Sequence, residues 1–297
     1  MSHDFSRILL TGGNGQVGRA LRQLLPQSEM LVAPDRDALN LANPDNIRST
    51  VRDCRPTLII NAAAYTAVDR AENEADLAMA VNGVAPGILA EEAKQLNATL
   101  VHYSTDYVFD GSKSGAYTES DIPNPLSVYG KTKLAGEQAV RAVGAAHYIL
   151  RTSWVYAAEG ANFVNTILRL ARERPELRIV DDQTGAPTWA RAIAVMTLQM
   201  LNAGRDNANP QHGLYHLTAS GAVTWCGFAR AILDEAQKIS GAVPPKLTPI
   251  TTADYPLPAR RPANSRLDTT RLTSTFGITP APWQTMLAEC MQEKRPG

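Results

Sequence analysis

Short apolar runs alternate with amphipathic stretches through the first half of the chain. The run Arg7–Leu10 predicts a first strand, and Val17, Leu21, Leu24 and Leu25 then fall on one face of a helix. Further strands are predicted at Met30–Ala33, Leu58–Ile60, Thr99–Tyr103 and Tyr148–Arg151, with helices at Gly83–Asn97 and after Ser127. Strands and helices that alternate at this spacing predict an α/β protein with a doubly wound parallel sheet of the Rossmann type.

The pattern changes after residue 151. Helices are predicted at Asn162–Ala171, Ala190–Leu201 and after Pro282, strands at Leu177–Val180 and Leu214–Leu217, and residues 244–262 are rich in proline. We interpret residues 1–151 as a dinucleotide-binding domain and residues 152–297 as mainly a smaller, partly interleaved α/β substrate lobe. Some segments of that lobe are expected to return to the first domain.

Composition and charge narrow the class of protein. Among 297 residues, 29 Lys and Arg balance 29 Asp and Glu, which argues against a nucleic-acid or membrane-surface binder. No apolar run approaches the roughly 20 residues of a membrane span, and no signal-peptide core is recognised. Cys54, Cys226 and Cys290 lie far apart with no CxxC spacing, which argues against a disulfide framework and a structural zinc site. We expect a cytoplasmic protein without nucleic-acid or membrane partners.

A glycine-rich segment follows the first predicted strand. Gly12, Gly15 and Gly18 have the spacing GxxGxxG, close to the GxGxxG of dinucleotide-binding proteins but not identical to it. Glycines at a strand–helix turn let backbone N–H groups approach a pyrophosphate. The alternative is a plain connector, but the position in the first βα unit favours dinucleotide binding.

Two charged residues follow the second predicted strand. Asp35 lies where a carboxylate hydrogen-bonds an adenosine ribose, whereas the guanidinium of Arg36 suits a 2′-phosphate. The pair leaves NADH and NADPH open, with a slight lean to NADPH or dual use, and a charged turn is the alternative. Small residues at 61–66, after the third strand, allow a flat cofactor to lie against the backbone.

The segment 129–133 carries the candidate acid–base chemistry. Tyr129 and Lys133 are four residues apart, on one face of the predicted helix. A phenol titrates near pKa 10, and a nearby positive charge favours the phenolate. A lone YxxxK is more often a surface pair, but here it follows a strand that ends in hydroxyl residues. Thr105, with Ser104 as the alternative, is predicted to hydrogen-bond a substrate carbonyl.

With these motifs the chain resembles the extended short-chain dehydrogenases/reductases and, within them, the dTDP-4-dehydrorhamnose reductase family. The resemblance covers nearly the whole chain. Its carriers are GGNGQVG (12–18), NAAAYTAVDRAE (61–72), HYSTDYVFDG (102–111), PLSVYGKTKLAGE (125–137), RTSWVYA (151–157), DDQTGAPT (181–188), GLYHLTASG (213–221) and RRPANSRLDT (260–269). It implies NADPH- or NADH-dependent reduction of a nucleotide-sugar C4 ketone, the last step of dTDP-L-rhamnose synthesis for bacterial surface polysaccharide such as the O-antigen of lipopolysaccharide.

The resemblance also implies residue roles. Tyr129 becomes the proton donor, Lys133 its partner on the nicotinamide ribose, and Thr105 the carbonyl-binding hydroxyl. Asp106 and Trp154 are expected to contact the sugar, with a turn residue and a core aromatic as the alternatives. Arg261 or its neighbour Arg260 is expected to bind the diphosphate, unless the pair is a solvated basic loop. The predicted cofactor-binding residues are Gly12, Asn14, Gly15, Gln16, Val17, Gly18, Asp35, Arg36, Asn40, Leu41, Ala63, Ala64, Tyr65, Thr66, Tyr129 and Lys133.

The sequence departs from this family at one feature. Some members form dimers bridged by Mg²⁺ on acidic side chains, whereas this chain has Arg19-Ala20 after the glycine turn and Trp189-Ala190-Arg191 after GAPT. Cationic and apolar side chains do not supply oxygen ligands. We therefore expect no Mg²⁺ bridge and no other metal, and a monomer or a weak homodimer.

Three other functions compete. A dehydratase on this fold usually has an Asp-Glu pair after the hydroxyl residue, whereas this chain has only Asp106 before Tyr107. An epimerase would keep its nicotinamide cofactor tightly bound. A non-catalytic regulatory subunit, like the β subunit of methionine adenosyltransferase, would act through a partner protein and show no reductase activity.

Overall fold

The computed structural model describes residues 6–25, 30–205, 211–241 and 243–294. The strands in these ranges are β1 (Ile8–Thr11), β2 (Leu31–Val32), β3 (Leu58–Asn61), β4 (Thr99–Thr105), β5 (His147–Thr152), β6 (Val155–Tyr156), β7 (Glu176–Val180), β8 (Thr184–Gly185), β9 (Thr188–Trp189), β10 (Gly213–His216), β11 (Val223–Thr224), β12 (Lys246–Ile250) and β13 (Asn264–Ser265). The α-helices are α1 (Gln16–Leu24), α2 (Pro44–Cys54), α3 (Val68–Ala71), α4 (Ala75–Met79), α5 (Ala85–Gln95), α6 (Val128–Val143), α7 (Phe163–Glu173), α8 (Ala190–Arg205), α9 (Trp225–Ser240), α10 (Thr270–Phe276) and α11 (Trp283–Glu293).

Six strands form one parallel sheet in the order β10-β5-β4-β3-β1-β2. The chain runs from β1 outward to β2, then crosses back to β3 on the other side of β1. The direction of winding therefore reverses between β1 and β3, and ligands of such sheets bind at this point, outside the carboxyl ends of the strands. The predicted doubly wound parallel sheet is confirmed.

Both faces of the sheet are covered, which explains why its central strands are apolar throughout. Neighbouring residues of a strand point to opposite faces. Leu9 and Ile59 pack with α2, α5 and α6, whereas Leu10 and Ile60 pack on the other face with α1, α8 and side chains of the second half of the chain. Each face thus has its own hydrophobic core.

The second half contributes small sheets and one strand of the main sheet. The small sheets are β11-β8-β13, the parallel pair β12-β7 and the parallel pair β6-β9. Strand β10 instead pairs with β5, so this segment extends the main sheet. The domain boundary after residue 151 stays a prediction.

Most predicted elements are confirmed to within a few residues, but some differ. The helix predicted at Gly83–Asn97 begins earlier, because α4 continues through a π-helical turn (Ala80–Val84) into α5. Gly83 and Pro86 suggest a helix start, whereas they lie inside the helical run, where Gly83 packs against α6. The proline-rich stretch contains β12, and its Pro249 is tolerated because β12 pairs with only one strand. Helices α2, α3, α9 and α10 have no counterpart among the predicted elements.

Candidate active site

The glycine turn between β1 and α1 is a tight backbone cradle. Gly12 has φ of +69°, and a Cβ there would lie 2.6 Å from the backbone N of Ala63, where β1 and β3 end side by side. A Cβ on Gly18 would lie 2.0 Å from the carbonyl O of Gly12. These contacts exclude side chains at both positions, so the start of α1 lies directly against the turn.

A cavity of about 670 Å³ opens beside this turn. With the exception of Gly18, all of the residues predicted to bind the cofactor line it: Gly12, Asn14, Gly15, Gln16, Val17, Asp35, Arg36, Asn40, Leu41, Ala63, Ala64, Tyr65, Thr66, Tyr129 and Lys133. Gly18 lies behind the turn and acts through packing. The cradle of backbone amides and the small residues after β3 fit a dinucleotide, and their binding role stays a prediction.

The charged pair after β2 lies at the end of this cavity, and both residues are exposed. The Asp35 carboxylate accepts hydrogen bonds from the backbone N–H groups of Asp37 and Ala38, at 3.1 and 2.9 Å. It therefore organises the turn and places Arg36 beside itself. This geometry suits either a ribose hydroxyl or a 2′-phosphate, so the choice between NADH and NADPH stays open.

Tyr129 lies in the first turn of α6. The Ser127 hydroxyl caps this helix by accepting from the backbone N–H of Gly130 at 3.2 Å. A Cβ on Gly130 would lie 2.2 Å from the carbonyl O of Tyr107, so this glycine lets the helix start approach the end of β4. Burial raises the pKa of Tyr129 to about 12, and a hydrogen bond with the Thr105 hydroxyl opposes this shift. The phenol is thus held as a neutral acid beside Thr105.

Lys133, one turn further along α6, is buried on the same side of the helix. Its ammonium donates to the carbonyl O of Tyr103 at 2.6 Å, and its Nζ lies 3.5 Å from His102 Nε2. Burial lowers the pKa of Lys133 to about 8, against the raising effect of Glu137. Lys133 is therefore a cation that loses its proton not far above neutral pH.

The structure separates the two hydroxyl candidates at the end of β4. Ser104 Oγ donates to Glu137 Oε1 at 2.5 Å, and Glu137 forms a buried bidentate ion pair with Arg151 at 2.8 and 2.6 Å. Ser104 is therefore tied to the buried ion pair that supports the site, although it also borders the cavity. The geometry favours Thr105 as the hydroxyl that meets the substrate, because Thr105 lies against Tyr129.

Asp106 is the acidic neighbour of this hydroxyl. Its Oδ1 accepts from Thr105 Oγ1 at 3.0 Å, Ser265 of β13 also hydrogen-bonds to it, and its buried Oδ2 has no partner among the described residues. Burial raises the pKa of Asp106 to about 6, and the bonds from Ser265 and Thr105 oppose that shift. A buried oxygen without a partner is a place for a ligand hydroxyl to bind, in keeping with the predicted sugar contact.

The other two predicted substrate residues already have partners. Trp154 has a positive φ of +48° and stacks on Trp225, with centroids 3.5 Å apart and planes 5° from parallel. Arg261 forms a bidentate ion pair with Asp69, at 3.1 and 2.7 Å. The guanidinium of Arg261 is thus partly neutralised before any substrate binds, and its diphosphate role stays a prediction, whereas Arg260 is exposed.

Several residues of the site were missed by sequence reasoning. Tyr107 packs edge-on against Tyr129, with centroids 5.5 Å apart, and hydrogen-bonds to Arg261. Ser265 and Asp69 reach the site from segments far from residues 104–133. Tyr107 adjoins Asp106 in sequence and thus carried a signal, whereas nothing in the spacing of Ser265 or Asp69 identified their partners.

A tyrosine and a lysine one helical turn apart, a hydroxyl at the end of the neighbouring strand and a glycine cradle at the sheet's switch point together define an extended short-chain dehydrogenase/reductase. Residues 6–295 match the family model described as the RmlD substrate binding domain. A dTDP-4-dehydrorhamnose reductase of Burkholderia thailandensis is 46% identical over 97% of this chain and 98% of its own length. One from Escherichia coli K12 is 43% identical over 96% and 97%.

A solved structure agrees with these relatives. The dTDP-4-dehydrorhamnose reductase of Bacillus anthracis, in complex with NADP, matches 98% of this chain and 100% of its own, with a TM-score of 0.90 and 34% identity. The chain therefore belongs to the dTDP-4-dehydrorhamnose reductase family.

Proposed function

We propose that this chain reduces the C4 ketone of dTDP-4-dehydro-L-rhamnose to give dTDP-L-rhamnose, with NADPH or NADH as the reductant. The observation that carries the proposal is the position of Tyr129 and Lys133, which line the cavity that the glycine turn borders, with Thr105 at the end of the neighbouring strand β4. The family relationship supports the substrate, and the relative solved with NADP supports the cofactor.

The chain's own groups do the acid–base work. A reduced nicotinamide held beside Tyr129 and Lys133 would supply hydride to C4, so that negative charge would develop on the ketone oxygen. The Thr105 hydroxyl, which donates to Asp106 Oδ1 in the structure, turns to donate to that oxygen, and a hydrogen bond of this kind stabilises the developing charge. Tyr129, kept protonated by its raised pKa, donates the proton that completes the alcohol. While it is protonated, the buried Lys133 on the same face of α6 supplies positive charge.

The test is the loss of NADPH absorbance when dTDP-4-dehydro-L-rhamnose is added, repeated with NADH. We expect oxidation stoichiometric with ketone, and the two rates rank the cofactors. No oxidation, together with tight NADPH binding by calorimetry, contradicts the proposal and points to another sugar nucleotide or to a regulatory subunit. NAD retained through purification points instead to an epimerase.

Tyr129→Phe removes the proton donor and keeps the ring. We expect kcat to fall by about a thousandfold, because general acid catalysis typically supplies 10²–10⁴. The dissociation constant for NADPH, measured by calorimetry, should change less than threefold. Full turnover in this variant would reject the assignment.

The remaining expectations concern the protein's surroundings. None of the described helices is long and apolar enough to cross a membrane. A cytoplasmic location, a monomer or weak homodimer without a Mg²⁺ bridge, and a division into domains after residue 151 are our proposals. Sedimentation with and without EDTA tests the second: a stable dimer that chelation dissociates would contradict it.

A further inference from the structure

A line of buried polar side chains lies beneath Lys133 and has no part in the chemistry proposed above. Thr11, Asn61 and His102 stand on the adjacent strands β1, β3 and β4, each at most 2% exposed. Thr11 Oγ1 lies 2.6 Å from Asn61 Oδ1, Asn61 Nδ2 lies 3.0 Å from His102 Nδ1, and His102 Nε2 lies 3.5 Å from Lys133 Nζ. The line connects the glycine-turn end of β1 to the lysine.

The hydrogen bonds along this line have a direction. The backbone N–H of Ala63 donates to Thr11 Oγ1 at 3.3 Å, so the Thr11 hydroxyl is free to donate to Asn61 Oδ1. That bond fixes the Asn61 amide with its NH₂ group towards His102. An NH₂ group only donates, so His102 Nδ1 must accept. A neutral imidazole has one N–H, and it must then lie on Nε2, which faces Lys133.

This arrangement sets an N–H donor against the lysine. An ammonium group has three donors and no acceptor, whereas a neutral amine has a lone pair that accepts from Nε2–H. The Tyr103 carbonyl accepts from either form, and more strongly from the ammonium, so this bond opposes the effect of His102. A positive imidazolium is excluded by the complete burial of His102, which drives its pKa well below the usual value, with the charge of Lys133 acting in the same direction.

We propose that His102 is a positioning residue for Lys133: held by Asn61 and Thr11 with its Nε2–H towards the amine, it favours the neutral form of the lysine over the ammonium. The catalytic part of this inference rests on the proposed function. In that reaction Lys133 would exchange a proton near neutral pH and help to restore the proton that Tyr129 donates. The orientation of His102 is independent of that function.

Other charged and titratable groups surround the pair. From α6, Glu137 raises the pKa of Lys133, opposite to the effect proposed for His102, and Tyr129 lies one turn away. From β5, Arg151 neutralises Glu137 through their buried ion pair. From the end of β4, Asp106 carries its own raised pKa. His102→Phe leaves all of these in place and adds no charge, so it isolates the contribution of His102.

The first measurement is the ¹⁵N NMR spectrum of the histidine rings in the unmodified protein, with His102→Phe used to assign the signals. We expect a protonated Nε2 and an unprotonated Nδ1 for His102. The opposite tautomer would overturn the proposal. This readout needs no turnover, so a protein without reductase activity would refute the proposed function and leave this inference standing.

The second measurement is the pH titration of Lys133, followed by its ¹³Cε shift. In Asn61→Asp, the carboxylate accepts from the Thr11 hydroxyl and from a proton on His102 Nδ1, so Nε2 becomes an acceptor for the ammonium. We expect the midpoint to rise by about one pH unit, because the new hydrogen bond and the added negative charge both favour the ammonium. His102→Phe, which only removes the N–H donor, should raise it by about half a unit.

The matched control is His147→Phe, a histidine on β5 whose ring Nδ1 faces the Ala145 carbonyl instead. It should leave the Lys133 midpoint unchanged. The basic limb of the kcat–pH profile should move with the NMR midpoint in the Asn61 and His102 variants. A loss of thermal stability without any movement of the midpoint would show that the histidine is only structural. If Asn61→Asp fails to fold, the wild-type tautomer and His102→Phe decide the question.

Discussion

The two ends of the site are built by different means. At the cofactor end, the backbone of one short segment forms the cradle, and Gly12 and Gly18 act by having no side chain. At the substrate end, side chains from distant segments meet: Ser265 hydrogen-bonds to Asp106, and Arg261 pairs with Asp69 across 192 residues of sequence. One end is specified locally, and the other depends on the complete fold.

This difference predicts different responses to substitution. A cradle made of backbone has no flexible part that can move away, so a single methyl group should disable it. A substrate end made of paired side chains has partners that readjust, so single changes there should be graded and dependent on each other.

The largest effect is expected from Gly18→Ala. The new methyl carbon would lie 2.0 Å from the Gly12 carbonyl O, and only movement of the whole turn relieves that contact. We expect NADPH affinity to fall about a thousandfold, since backbone displacement of this kind costs about 4 kcal/mol. Isothermal calorimetry measures it.

The control in the same turn is Gly13→Ala. Its methyl group would meet the flexible Arg22 side chain at 3.1 Å, not backbone. We expect less than a tenfold loss of affinity. Equal losses in Gly13→Ala and Gly18→Ala would show that the close backbone contact is not what the cradle requires.

Ser104 and Thr105, the adjacent hydroxyl residues at the end of β4, test the comparison where the two ends of the site meet. Thr105→Val removes the donor to the ketone oxygen and should lower kcat about a hundredfold with little change in stability. Ser104→Ala removes a bond to the buried Glu137 and should lower the free energy of unfolding by about 2 kcal/mol, with kcat changed only a few-fold. Steady-state kinetics and urea denaturation of both variants test this, and the reverse pattern would assign the carbonyl to Ser104.

The cofactor end is specified locally and the substrate end is built from distant segments, and this difference explains which features could be predicted from the sequence. The strands, the glycine cradle and the Tyr129–Lys133 pair follow from local periodicity and spacing, and the structure places them together. The roles of Ser104 and Thr105 could not be separated, because both end a buried strand and only the position of Glu137 on α6 distinguishes them. The partner of Arg261 was also beyond the sequence, since nothing local relates it to Asp69. The sequence predicts a helix from Gly83, whereas the helical run extends back to Ala75, because Gly83 packs inside that run against α6.

Replacing Asp106 should change the free energy of unfolding by a smaller amount. The direction of that change tests whether the pKa of Asp106 is raised. Because burial raises its folded pKa to about 6, above the usual value near 4, the folded protein loses stability as pH rises from about 4 to about 6. Asp106→Asn should remove this loss, so the variant gains about 2 kcal/mol above pH 6 and nothing below pH 4. The KM for the sugar nucleotide should rise in the same variant. Thermal melts across this pH range measure the gain, and a destabilised variant at pH 8 would contradict the sign.

The smallest effect is expected at the Arg261–Asp69 pair. Both groups are partly exposed, at 18% and 35%, so a double-mutant cycle with Arg261→Ala and Asp69→Asn should give a coupling of about 1 kcal/mol. The guanidinium holds the pKa of Asp69 below its usual value, so the coupling is present at pH 7 and is lost as pH falls below about 4.

Steady-state kinetics of the two single variants separate two roles for Arg261. If Arg261 binds the substrate diphosphate, Arg261→Ala raises KM about tenfold and Asp69→Asn, which frees the guanidinium, does not. If the pair only fastens the 259–261 segment to α3, both variants change KM equally, and the substrate end has its cation elsewhere.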